Sequence, residues 1–252
     1  WALLHAAFRD ASASKNRALR VLKDYPTSHV MAPDRGTGKA KQYVYPNEFL
    51  KLARCEEVPL RWRRLAALAI YSSARAAELE ALAWEDVDLE RGVMHIHRST
   101  RRYTRELKKT KTGETRRFGI EPTLLPLLTA MHGETGGRGR VLASTPMPNK
   151  CELANGLRLW LAVAGVDRDE LFANDATRKW MTFHDLRATG LTWMAVRGDD
   201  APRIKQRAGH ACFATTERYV READAIGRGF GDVFPALPAA ILASGRVVQR
   251  CA

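Results

Sequence analysis

The chain has 252 residues, with 41 lysines and arginines against 28 acidic residues and a formal charge of +13 at pH 7. That length is enough to bury a substantial core in one large or two small domains, and so basic a balance points to a polyanionic partner, nucleic acid or an acidic membrane surface. The longest clear apolar run, residues 65–71, falls far short of a membrane-spanning helix, and Cys55, Cys151, Cys212 and Cys251 lack the paired short spacings of a zinc site or a disulfide framework.

The chain opens on Trp1 with no basic-then-apolar leader, so the expectation is a cytoplasmic protein with reduced thiols whose own start lies upstream. Apolar residues at helical spacing (Leu4, Phe8, Ala11, Leu19, Leu22) predict a helix over residues 1–23, stopped by Pro26. Residues 33–42, PDRGTGKAKQ, combine Pro, Gly and charge without apolar anchors and read as a linker. Helices are predicted over 46–57, 59–74 and 75–82.

From Gly92 the pattern changes to alternation, Val93, His95 and His97 against Met94 and Ile96, and a short strand at 117–120 could return beside it as a small antiparallel sheet. His95 and His97 read as sheet residues. Further helices are predicted over 123–131, 151–164, 184–196, 202–207 and 215–221. The pattern describes a mostly helical α+β domain with a small sheet inserted early.

Within HDLR, His184 and Arg187 stand at i and i+3, so a helix projects a protonatable ring and a fixed cation toward the same face. Farther on, AGHACFATTERYV places His210 nine residues before Tyr219. Residues 98–117 carry nine lysines and arginines and two glutamates, a density suited to following a phosphate backbone, or simply a solvated face. The RWRR stretch at 61–64 and the basic face of the first helix are weaker candidates of the same kind.

The ordered set of Arg75 in RAAEL, Lys111 in TKTGETRR, HDLR, the Gly209–His210 pair and TERY resembles the tyrosine recombinases, or phage integrases, across roughly residues 43–235. The resemblance implies a mainly α-helical α+β catalytic domain with a small antiparallel sheet, preceded by the last helix of a truncated core-binding domain. The corresponding division is 1–32 for that helix, 33–42 for the linker, 43–235 for the catalytic domain and 236–252 for a tail. The apolar stretch 230–242 would either be exchanged between protomers or pack on its own chain.

The resemblance also implies the chemistry. Tyr219 would attack a scissile phosphodiester to give a 3′-phosphotyrosine and a free 5′-hydroxyl, with no metal, cofactor or nucleotide consumed. Arg75 and Arg187 would clamp the non-bridging oxygens, Glu78 at i+3 would orient Arg75, and His184 and His210 would hydrogen-bond the phosphate, His184 also accepting the tyrosine proton. Lys111 would protonate the departing oxygen, with Lys108 and Lys109 as competitors. Its place at the hairpin rests on TGETRR, read as a turn-and-return pattern.

Arg98, Arg101, Arg102, Lys108, Lys109, Arg116 and Arg117 would follow the backbone of double-stranded DNA. A homotetramer on two DNA sites, with accessory bending factors, and a monomer or weak oligomer without DNA are the implied assembly states. The chain departs from the family pattern at Ser73, where a glycine is usual, at Ala208, where a leucine is usual, and at Ala188, where a second histidine is frequent. Type IB topoisomerase-like relaxation of supercoils and a DNA-binding remnant that no longer cleaves are the competing functions.

Overall fold

The computed structural model describes residues 1–31, 42–101, 104, 106–109, 115–226 and 229–243. It divides into two compact units, Trp1–Lys39 and Ala40–Ala252. In the first, α1 (Ala2–Ala13) stops ten residues earlier than its apolar spacing predicts, and a single 3-10 turn follows at Arg17–Leu19. The break is local. Ser14 Oγ accepts from the Asn16 N–H at 3.2 Å and Asn16 Oδ1 accepts from the Ala18 N–H at 3.1 Å, so short polar side chains take the amides that helix continuation needs.

The second unit is built around two helices. Helices α2 (Pro46–Arg54), α3 (Leu60–Ser72) and α4 (Ala76–Ala81) come first, and every residue of α3 from Trp62 onward is buried. Downstream lie α5 (Leu125–Thr135), α6 (Lys150–Val163), α7 (Phe183–Arg197), α8 (Ala201–Ala208), α9 (Phe213–Ala225) and the short α10 (Ala239–Leu242). Helix α7 packs on α3 along one side and on α9 along another, and it buries all of its residues from Phe183 to Met194 except His184. Gly190 permits that approach, because a Cβ there would sit 2.0 Å from the Ile70 carbonyl oxygen of α3.

The predicted antiparallel sheet is present, as β1 (Val87–Asp88), β2 (Val93–Ile96) and β5 (Arg116–Gly119), with β2 central and Met94 opposite Phe118. Past His97 the chain continues as a second ladder, β3 (Arg98–Thr100) against β4 (Leu107–Lys109). Thr100 pairs with Leu107 in that ladder, and residues 112–114 of the TGETRR segment expected to make the turn lie outside the described residues.

Arg63 and Arg64 of the RWRR stretch prove to be interior, whereas Arg61 is partly exposed. Arg64 is 1% exposed, makes a two-pronged ion pair with Glu134 at 2.7 and 2.8 Å, and donates to the carbonyls of Ile241 and Ala243. Arg63 is also buried, and Arg61 pairs with Glu152. This arginine stretch therefore clamps α10, which lies on α2, α3 and α5 of the same chain. Among the described residues, no helix is long and apolar enough to cross a membrane.

Candidate active site

Helix α3 ends on Ser73, which adopts φ 51 and ψ 28 in the left-handed region, where a glycine would be free of Cβ strain. The turn sends the chain into α4 with Arg75 at its N-cap and Glu78 in its first turn. The Arg75 amide donates to Glu78 Oε2 and its guanidinium to Oε1, both at 2.8 Å. Glu78 is 2% exposed, whereas the Arg75 side chain is nearly half exposed.

Two further guanidinium groups meet the same carboxylate. Arg116 of β5 donates to both oxygens of Glu78, at 3.1 and 2.6 Å, and through Nε to the Arg207 carbonyl at the end of α8. Arg187 of α7 donates to the Ser73 carbonyl at 2.6 Å and to the Ala208 carbonyl, and lies 4.0 Å from Glu78. Burial alone would raise the Glu78 pKa, but the bonds and charges of Arg116 and Arg75 outweigh it and hold the carboxyl at about 2. Burial, then the nearby Arg75 cation, pulls the Arg187 guanidinium down to about 10.

The last two carbonyls of α8 are thus held by arginines from β5 and α7, and Gly209, at φ 59, turns the chain immediately after them. A side chain at 209 would press on Arg116 at 3.2 Å. The next residue, His210, places its ring against Tyr219 of α9, the planes 13° apart and the centroids 6.0 Å apart. Its Nδ1 lies 3.0 Å from Thr216 Oγ1. Tyr219 is 5% exposed.

Above these groups opens a cleft of about 660 Å³ whose walls include Arg75, Glu78, Lys108, Arg116, Lys205 and His210. Arg75, Glu78, Arg187, His210 and Tyr219 are therefore drawn together from α4, α7, α9 and the α8–α9 turn. His184 lies on the first turn of α7 with Arg187, is exposed, and is not among the residues lining the cleft. Lys111 and Arg102 fall outside the described residues.

The arginines and lysines expected on DNA separate into different environments. Arg116 is buried against Glu78, whereas Arg117, its neighbour on the opposite face of β5, is exposed. Arg98 pairs with Glu85 and Asp86 at 2.6 and 2.7 Å, while Arg101 is exposed and lies 3.6 Å from Glu106. Lys108 lines the cleft, and Lys109 stands opposite Arg98 in the ladder. The expectation of a DNA-facing Arg116 is replaced by an internal one, because its hydrogen-bonding groups are directed into the core. Lys205 and Thr216 were not singled out in the sequence; a spacing of three residues from Tyr219 is the signal that could have found Thr216.

Among the described residues one cluster could offer three metal ligands, Asp86, His95 and His97, with donor atoms within 4.8 Å of one another. Asp86 Oδ1 lies 2.7 Å from His97 Nε2, and Oδ2 accepts from Arg98 and from the Ala83 N–H. Both oxygens are thus engaged beside a guanidinium, and the His95 and His97 rings stack at 4.6 Å. Through these contacts Asp86 is tied to the junction of β2 and β3.

The sequence model of the phage integrase family matches residues 42–225, and the chain belongs to that family. The fold is that of tyrosine-recombinase catalytic domains. The Tn1549 transposon integrase, in complex with a circular intermediate DNA, superposes with a TM-score of 0.64 at 16% identity over 86% of this chain and 71% of that one. A lambda integrase dimer bound to a COC′ core site gives 0.61 at 17% identity over 92% and 74%. XerA recombinase gives 0.55 at 19% identity over 75% and 64%. A stretch of 37 residues is 51% identical to the prophage integrase IntR of Escherichia coli (strain K12), spanning 15% of this chain and 9% of that relative.

Proposed function

We propose that the protein is a site-specific DNA recombinase that breaks and rejoins strands through Tyr219. The observation that carries this reading is the pairing of Arg75 and Arg187 with the one carboxylate Glu78, beside a His210 ring stacked on Tyr219, in a member of the integrase family. In the proposed reaction the Tyr219 oxygen forms a bond to the scissile phosphorus as the bond to the 5′-oxygen breaks, leaving a 3′-phosphotyrosine. A 5′-hydroxyl from the partner strand then reverses the exchange. One phosphoester replaces another, so neither water nor a nucleotide is consumed.

Negative charge grows on the non-bridging oxygens as phosphorus becomes five-coordinate, and fixed guanidinium groups suit that geometry while staying charged. Arg75 and Arg187 take that role, His210 adds a hydrogen bond, and Glu78 orients Arg75. His184, on the first turn of α7, is assigned to receive the tyrosine proton, and Lys111 to protonate the departing oxygen. Double-stranded DNA is the partner, held as a tetramer on two sites with bending factors, in the cytoplasm of a bacterial host. The integrases solved on DNA support that partner class.

The experiment is capture on a library of nicked duplexes, followed by sequencing of the DNA left covalently attached. Wild type should yield an adduct with a defined site and Tyr219→Phe none. An adduct that survives Tyr219→Phe would sink the assignment. Relaxation of any supercoiled plasmid without site preference would favour a type IB topoisomerase instead, and site binding without adduct would favour a non-cleaving remnant.

A further inference from the structure

His210 belongs by backbone to the end of α8, where its N–H donates to the Lys205 carbonyl at 3.2 Å. Its ring, however, is held from the next helix. Thr216 of α9 is fully buried, its hydroxyl lies 3.0 Å from His210 Nδ1, and Tyr219 follows one helical turn later with its ring stacked on the same imidazole. One face of α9 thus carries both the nucleophile and the anchor of a neighbouring histidine.

A neutral imidazole has one donor and one acceptor nitrogen, and the partner of one nitrogen decides the role of the other. If the Thr216 hydroxyl donates to Nδ1, the proton resides on Nε2, which becomes a donor. If it accepts, Nε2 presents a lone pair. Only the first arrangement suits a ring that hydrogen-bonds the oxygens of a phosphate gathering negative charge, since a lone pair would be repelled there. We infer that Thr216 is a positioning residue that holds His210 as the Nε2–H tautomer and thereby makes it a phosphate donor.

This inference rests on the role given to His210 in the proposed reaction. It has a mechanical consequence. Thr216 and Tyr219 sit on one turn of one helix, so a displacement of α9 would withdraw the nucleophile and the Thr216 hydroxyl together.

The test is long-range ¹H–¹⁵N correlation of the histidine rings in the full chain at a pH where His210 is neutral, with His210→Asn identifying the signals. Wild type should show an acceptor-type Nδ1 and a protonated Nε2. Thr216→Val keeps the shape and removes the hydroxyl, so both tautomers should be populated, and Thr216→Ser should restore the wild-type pattern. A wild-type ring protonated on Nδ1 overturns the inference even if the valine variant does not fold, and so does a folded valine variant with unchanged signals.

On any nicked duplex that yields an adduct, Thr216→Val should slow cleavage several-fold at saturating DNA and leave the half-saturating concentration unchanged. Unchanged cleavage also overturns the inference. Absence of an adduct from wild type would sink the recombinase reading and leave the tautomer result standing, whereas a failed tautomer prediction beside a normal adduct would sink only this one.

Discussion

The Arg187 guanidinium donates to the Ser73 carbonyl across 2.6 Å, and Ser73 is the left-handed residue two places before Arg75. The strained turn is therefore part of the platform on which both arginines stand. A Cβ in this region costs ~1–2 kcal/mol, and glycine gives part of that back through its greater freedom in the unfolded chain. Ser73→Gly should raise stability by about 1 kcal/mol by urea unfolding. A loss of stability would mean that the Ser73 hydroxyl, 3.4 Å from the Ile70 carbonyl, matters more than the strain.

Arg116→Ala leaves a buried carboxylate with Arg75 as its hydrogen-bonded guanidinium and Arg187 at 4.0 Å, and removing one side of a buried pair typically costs ~3–5 kcal/mol. Denaturation midpoints should fall accordingly, with little recovery from Arg116→Lys because an ammonium cannot bridge both oxygens of Glu78.

Acid should expose the same pair. Glu78 is held at about 2 against an ordinary value of 4.5, so the unfolded chain binds this proton more readily than the folded one. The stability it provides, on the order of 3 kcal/mol, is full above pH ~4.5 and is lost as the pH falls toward 2. Unfolding free energies followed from pH 6 to pH 3 should fall more steeply for wild type than for Glu78→Gln. Equal slopes would show that Glu78 is not held low.

Neighbouring arginines on β5 should behave differently toward DNA. Each phosphate contact contributes ~0.9 to the slope of log affinity against log salt. Arg117→Ala and Arg101→Ala, both at exposed positions, should together reduce that slope by about 1–2. Arg116→Ala should leave it unchanged as long as the protein is folded. A slope reduced by Arg116→Ala alone would place that side chain on DNA after all.

Gly190→Ala sets two effects against each other. Alanine is the better helix residue by ~1 kcal/mol, yet its methyl would fall 2.0 Å from the Ile70 carbonyl and 2.6 Å from Ser73 Oγ. Overpacking of this kind costs ~1–3 kcal/mol or more, so the melting temperature should drop. A rise would show that α3 and α7 separate easily.

The parts of the fold carried by local pattern were legible in the sequence. Apolar spacing located α3, alternation located β2, and HDLR with TERY marked the helices of Arg187 and Tyr219. What escaped depends on partners remote in the chain. Arg64 meets Glu134, 70 residues away, and a run of arginines cannot reveal which of them has an acid waiting inside. Arg116 and Arg117 look alike in sequence, although Arg116 shares strand parity with Phe118 and Ile120, which point inward with it. At the end of α1 the reverse applies, since the apolar pattern runs on while Ser14 and Asn16 capture the amides beside them.

Glu78 is shared by Arg75, Arg116 and Arg187. One acid among three bases leaves an excess of positive charge at this point, and burial, with the nearby Arg75 cation adding to it, lowers the Arg187 pKa. A phosphodiester entering the cleft beside Arg75 would bring counter-charge to this excess, and a five-coordinate phosphorus would bring more of it. The arginines would then serve as counter-ions to Glu78 and to the substrate at once. Such a charge balance carries no base sequence, which leaves the choice of DNA sequence to contacts made elsewhere along the duplex.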